Sequence, residues 1–206
     1  MNLTAVTTAI DRIPRVDFAG SPTPTAELVH LRRHLTKISG RCPRLWVKRD
    51  DLTTFGGGGN KVRKLEYLAA AARDSGADTL ITAGGPQSNH CRQTAAAAAV
   101  LGMDCHLVLG GQLAGELQGN LILDRICGAT LHWCPKERRG ETMEEVAAKM
   151  RSDGRSPYMI PVGGSNPRGA LGYVRGFIEI AQQIDRGLLP EPDQIVVATS
   201  SGGTQA

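Results

Sequence analysis

Short apolar strands alternate with helices along this chain, and glycine closes four of the helices. Leu45–Lys48 reads as a strand, followed by a helix over Lys61–Ser75 that stops at Gly76. Thr79–Thr82 is a strand, then a helix over Asn89–Leu101 carries five consecutive alanines and stops at Gly102. The pattern repeats as strand Cys105–Leu109, helix Gly119–Cys127 before Gly128, strand Thr130–Trp133, and helix Glu141–Ser152 before Gly154. Strand Tyr158–Val162, helix Ala170–Ile184 and a final strand Gln194–Thr199 complete it. Glycine takes the left-handed conformation that ends a helix, so its placement marks real stops. Strands separated by helices pair in parallel through right-handed crossovers. The expected fold class is therefore α/β, with parallel sheet flanked by helices. Ligands in such folds bind at the carboxyl ends of the strands, near a topological switch point. Ile13–Pro24, with three prolines, reads as an extended lead-in segment.

Composition narrows the function classes. With 206 residues, 41% hydrophobic and 21% charged, the chain has room for one large or two small globular domains. The formal charge of +4 comes from scattered residues, without a basic stripe interleaved with aromatics, so nucleic acid is not an expected partner. Five cysteines without a CxxC pair argue against a disulfide framework or a zinc site. Most read as buried small hydrophobes in a reducing compartment. No apolar leader or membrane-length run is present, and the reading is a cytoplasmic protein with no membrane partner and no metal.

Four turns rich in glycine or serine fall at strand ends or helix starts: Gly56–Lys61, Gly84–His90, Gly163–Asn166 and Ser200–Thr204. In the first, Lys61 follows four glycines and Asn60 and opens a helix. An NTPase phosphate loop would need Gly-Lys-Ser/Thr, which is missing. A flexible turn with a solvated lysine is the plain alternative. The chemical alternative is a cofactor-bearing amine. The helix start and neighbouring Arg63 and Lys64 disfavour its charged form, which would make it a nucleophile. In the second turn, Ser88 and Asn89 suit helix capping, and the same groups can hold a carboxylate. His90 by itself reads as a structural histidine, but it stands beside that cap. Ser200–Thr204 follows a strand with small residues whose N–H groups can nest a phosphate.

Taken in order, Val47-Lys48-Arg49-Asp50-Asp51, Gly58-Gly59-Asn60-Lys61-Val62-Arg63-Lys64-Leu65-Glu66, Gln87-Ser88-Asn89-His90-Cys91-Arg92-Gln93-Thr94, Pro161–Asn166 and Ser201–Ala206 resemble one family. The chain is similar to pyridoxal-phosphate enzymes of the tryptophan-synthase-β-like superfamily, fold type II. Within it, the chain resembles the D-cysteine desulfhydrase and 1-aminocyclopropane-1-carboxylate (ACC) deaminase family. The resemblance implies pyridoxal 5'-phosphate as cofactor and Lys61 as its Schiff-base lysine and proton shuttle, with Asn60 beside it. It implies that Ser88, Asn89 and His90 hold the substrate carboxylate, Ser88 acting in catalysis and Asn89 also near the ring hydroxyl. Ser201, Gly202, Gly203 and Thr204 would cradle the phosphate.

It further implies a small amino-acid substrate, a homodimer when complete, and two domains: 1–60 with 168–206 for the cofactor, and 61–167 as a smaller insertion. His90 and Gly164-Ser165-Asn166 match the desulfhydrase and L-cysteate sulfo-lyase branches, where ACC deaminases differ. The expected reaction is α,β-elimination from D-cysteine. Family members continue past this point with an active-site tyrosine and a partner for the pyridine nitrogen. A truncated, catalytically silent chain is thus the rival expectation. A nucleotide-binding Rossmann domain is disfavoured, because no Gly-x-Gly-x-x-Gly opens the first strand–helix–strand unit.

Overall fold

The computed structural model describes residues 3–20, 22–113, 115–198, 202, 204 and 205. The elements in chain order are α1 (Leu3–Asp11), β1 (Thr25–Glu27), α2 (Val29–Ser39), β2 (Trp46–Lys48), α3 (Lys61–Asp74), β3 (Thr79–Gly84) and α4 (Asn89–Leu101). They continue with β4 (Asp104–Gly110), α5 (Asn120–Ile126), β5 (Thr130–Cys134), α6 (Arg139–Ser152), β6 (Pro157–Met159) and α7 (Pro167–Asp185).

β3 lies inside the sheet and is buried along its whole length. A strand covered on both faces has no polar side to show, so Thr79–Gly84 reads as a small apolar run. The sheet order is β5-β4-β3-β6, and every pairing is parallel. On one face Leu80, Leu107 and Leu109 pack against Leu65 and Leu68 of α3, Cys91, Ala95 and Ala98 of α4, and Leu121 of α5. On the other, Ile81, Ala83 and Val108 pack against Met143, Val146 and Ala147 of α6. Each fully buried leucine contributes about 2 kcal/mol from apolar area removed from water. The alanine run of α4 serves this geometry: small side chains let the helix sit close to the strands, and Ala95, Ala97 and Ala98 are fully buried.

α7 crosses α3 with backbone against backbone. A Cβ on Gly172 would lie 2.1 Å from the Arg63 carbonyl oxygen. One on Gly169 would lie 2.1 Å from the Gly164 carbonyl. The spacing Gly169, Gly172, Gly176 puts all three glycines on one buried face of α7. Asn166 caps this helix by accepting from Gly169 N at 2.8 Å.

Three expectations are corrected. Residues 194–198 form no strand, and Val196 is 91% exposed. A strand exists only against a neighbour that takes up its backbone hydrogen bonds, and the described residues bring none beside this segment. β2 pairs antiparallel with β1 in a separate two-stranded ribbon, rather than joining the parallel sheet. The strand expected over Tyr158–Val162 stops at Met159, and Val162–Gly164 turns as a short 3₁₀ segment. Positive φ at Gly163 and Gly164 (68° and 62°) makes the continuation impossible for a strand. No helix of the described residues is long and apolar enough to cross a membrane.

Candidate active site

The chain leaves β3 and rises into α4 on one face of the sheet, while α6 covers the other face before β6 returns to pair with β3. The turns after β3 and β6 therefore flank a switch point at the carboxyl end of the sheet. Gly84–His90 and Gly163–Asn166 are those turns.

The glycine loop before α3 lies on α4. Gly56, Gly57, Gly58 and Gly59 all have positive φ, from 55° to 114°. That is a path only glycine follows at low cost. Gln93 Nε2 donates to the carbonyls of Gly58 at 2.6 Å and Gly59 at 3.0 Å. Arg92 donates to Gly58 O at 2.9 Å. Thr53 accepts from Gly59 N at 2.9 Å. A Cβ on Gly58 would come within 2.6 Å of the Asp51 carbonyl. The loop delivers Lys61 half-buried at the start of α3, its Nζ donating to Asn60 Oδ1 at 3.3 Å.

Burial lowers the Lys61 amine below its usual range. The expected causes were the charges of the helix start, Arg63 and Lys64; desolvation is the leading one, while the Lys61–Lys64 repulsion is felt at Lys64. The Arg63 guanidinium is spent elsewhere: it donates to Asp50 at 2.8 Å and to Glu179 of α7 at 2.8 Å. Burial would raise the Glu179 carboxyl, but hydrogen bonds from Arg63 and Lys48 outweigh it and hold the group at about 2.

At the start of α4 the three expected residues divide. Ser88 is the cap, its Oγ accepting from Cys91 N at 3.2 Å. Asn89 is exposed, and its Oδ1 accepts from Asn120 Nδ2 at 2.9 Å. His90 is 3% exposed and turns inward. Thr82 donates its hydroxyl to Ile160 O at 2.8 Å, which leaves His90 Nε2–H to donate to Thr82 at 2.9 Å. His90 Nδ1 is buried without a hydrogen-bond partner among the described residues. Burial, then the charges of Lys61 and Lys64, push this imidazole down to about 3, so it is neutral at pH 7. The coupling also makes Lys61 a near neighbour of the α4 start.

Lys64, one turn beyond Lys61, is nearly inaccessible at 1%. Its Nζ donates to Gly163 O at 3.1 Å and Ser165 Oγ at 3.0 Å, tying the turn after β6 to α3. Burial and the Lys61 charge push it down to about 8.

Tyr173 of α7 was not among the expected site residues. Its hydroxyl accepts from Asn60 Nδ2, shares a hydrogen bond with the Thr204 side chain, and its ring lies 5.8 Å from Lys64 Nζ. Burial raises its pKa despite those bonds, so it stays a phenol. The available signal was the glycine face Gly169-Gly172-Gly176, which brings the helix carrying Tyr173 against α3. Through Tyr173, Thr204 of the expected phosphate turn meets Asn60 and Lys61. Gly202, with φ 77°, is described beside it, while the expected Ser201 and Gly203 lie outside the described residues.

Residues 16–206 match the pyridoxal-phosphate dependent enzyme family. The chain belongs to that family. It is 44% identical to a D-cysteine desulfhydrase of Klebsiella pneumoniae (strain 342) over 203 residues, 96% of this chain and 60% of that protein. A crystal structure of an ACC deaminase homologue superposes with TM-score 0.82 at 39% identity, over 97% of this chain and 58% of that one. A pyridoxal 5'-phosphate-dependent aspartate racemase, at 22% identity and TM-score 0.72, shares the fold, over 98% of this chain and 55% of that one. The fold is that of the fold type II enzymes. The chain spans about 60% of the length of these relatives.

The cofactor of the family is pyridoxal phosphate, and the residues fit it. A half-buried primary amine with a lowered pKa suits its aldehyde. Positive-φ glycine at 202 and the Thr204 hydroxyl suit its phosphate.

Proposed function

We propose that this chain forms the lysine-bearing part of a lyase that acts on a small amino acid by α,β-elimination, releasing pyruvate, sulfide and ammonia from D-cysteine. The observation that carries the reading is the Lys61 amine, desolvated at the start of α3 and adjacent to the capped start of α4. The 44% identity to a D-cysteine desulfhydrase supports the substrate.

Lys61 would hold the cofactor aldehyde, and its amine would serve as the base for the substrate Cα proton. Its lowered pKa keeps a larger fraction of the amine unprotonated at neutral pH. Pyridoxal phosphate supplies the electron sink for the Cα electrons. Ser88 and Asn89 receive the substrate carboxylate at the N-terminus of α4, where free N–H groups favour an anion. His90 backs this cradle as a ring that burial keeps neutral at pH 7. Thr204 and Gly202, with Ser201 and Gly203, receive the phosphate. A division into a cofactor domain (1–60 with 168–206) and a smaller domain (61–167), a homodimer and a cytoplasmic location belong to the same proposal.

Borohydride reduction with pyridoxal phosphate, followed by peptide mapping, tests the lysine. The label is expected on Lys61, is lost in Lys61→Ala and survives in Lys64→Ala. A label on Lys64 would overturn the assignment. Sulfide and pyruvate from D-cysteine test the substrate. Faster ketobutyrate from ACC would favour the deaminase reading, which the ACC deaminase homologue makes the second choice. Sulfite from L-cysteate would favour the sulfo-lyase branch.

A further inference from the structure

Arg92 of α4 and Asp124 of α5 are both buried, at 5% and 0% exposure. Among the described residues Asp124 Oδ1 and Oδ2 have no hydrogen-bond partner, and neither do Arg92 Nε and Nη1. Each group is nevertheless within electrostatic reach of the other: burial lowers the Arg92 pKa and raises that of Asp124, and each charge opposes that shift on its partner. Four orphaned polar atoms on two facing charges are costly in a dry interior, and folded proteins satisfy such groups with enclosed water. The remaining Arg92 nitrogen, Nη2, donates to Gly58 O at 2.9 Å and to Asn89 Oδ1 at 3.4 Å. A Cβ on Gly57 would lie 2.6 Å from Arg92 Nη1 and 3.8 Å from Leu123 Cδ1 of α5. The guanidinium thus lies against the backbone of the loop that carries Lys61, and α5 packs against the same part of the loop.

We propose that Arg92 and Asp124 form a water-bridged buried pair that fixes the glycine loop and thereby sets the place of Lys61. Both are positioning residues, and the inference rests on the reading of Lys61 as the cofactor lysine. One edge of the guanidinium holds the Gly58 carbonyl, three residues before Lys61, and its other nitrogens are buried within reach of the Asp124 charge. An ionised Asp124 orients the guanidinium through the water; a protonated one releases it.

The groups facing Asp124 are Arg92 and Cys91 on α4, Cys105 on β4 and Cys127 at the end of α5. Burial raises all three thiols, so they stay neutral at pH 7. Burial also pushes the Asp124 carboxyl up to about 7, against the pull of Arg92. The anchor is therefore set to engage as pH rises through neutrality.

Amide exchange on the 206-residue chain without cofactor tests this, read as protection factors for Gly57–Lys61 between about pH 5.5 and 8.5. Wild-type protection is expected to rise about tenfold through a midpoint near 7, the size of one charge-assisted hydrogen bond. D124N, which cannot ionise, should stay flat at the low value. R92M/D124L removes both charges with apolar replacements and should also be flat, even if D124N folds poorly. Borohydride labelling of Lys61 should fall in parallel in each variant. A pH step that persists in D124N or in the double variant, or none in wild type, would overturn the proposal. Because the exchange is measured without cofactor, it stands even if Lys61 fails to take the label.

Discussion

The Tyr173 hydroxyl on α7 accepts a hydrogen bond from the Asn60 amide, the residue immediately before Lys61. A helix about a hundred residues downstream thus steadies the start of α3. Tyr173→Phe keeps the ring and removes the acceptor. Affinity for pyridoxal phosphate should fall about tenfold, the weight of one buried hydrogen bond with its donor left unpaired. Absorbance titration of the cofactor measures it, and unchanged affinity would remove Tyr173 from the site.

His90 ties stability to pH. Its folded pKa, about 3, is depressed from 6.5 by burial, then by the charges of Lys61 and Lys64. Below 6.5 the unfolded chain takes up a proton that the folded chain refuses, so this contribution falls as pH drops from 6.5 towards 3. The loss approaches about 5 kcal/mol at the bottom of that window. His90→Asn should flatten that part of a urea-unfolding profile. A wild-type slope retained by the variant would place the acid sensitivity elsewhere.

Glu179 acts lower on the scale. Its folded pKa of about 2, against 4.5, stabilises the fold fully above 4.5 and is lost as pH falls towards 2. Glu179→Ala leaves Arg63 and Lys48 without a shared carboxylate. It should cost about 3 kcal/mol near neutral pH, as breaking one side of a buried ion pair does. Chemical denaturation at pH 7 reads this directly; a cost below about 1 kcal/mol would mean that Asp50 alone satisfies Arg63.

Gly172 and Gly176 share a helix face but not a consequence. A Cβ on Gly172 meets backbone at 2.1 Å, whereas one on Gly176 meets the Arg63 side chain at an ordinary 3.6 Å. Gly172→Ala should destabilise by about 3 kcal/mol through forced separation of α3 and α7. Gly176→Ala should be neutral, or stabilising by up to about 1 kcal/mol from helix propensity. Melting curves of the pair distinguish the two, and equal effects would contradict the close crossing.

The helices of the α/β core were legible because each carries its own local signals. The expected Asn89–Leu101 matches α4 residue for residue, with Ser88 capping it and Gly102 in the left-handed conformation after it. The expected Lys61–Ser75 differs from α3 by one residue. β1 and α2 were not legible, since a three-residue strand has too few positions to show a period, and α2 buries no residue fully. In the candidate site, Lys61, Ser88 and Asn89 stood out on glycine-rich turns, while Tyr173 lay inside an ordinary helix.

Local chemistry in the sequence by itself determined where the chain could turn, which segments were helical and which amine stood behind a glycine loop. Those properties depend on φ, caps and spacing within a few residues. Only the tertiary structure decided that α7 presses Tyr173 onto Asn60, that His90 is buried and neutral, and that residues 194–198 stay unpaired. It also decided that desolvation leads in lowering the Lys61 amine and that the neighbouring Arg63 charge is neutralised by Asp50 and Glu179. Burial and pairing depend on which distant segments meet, and no window of local sequence carries that information.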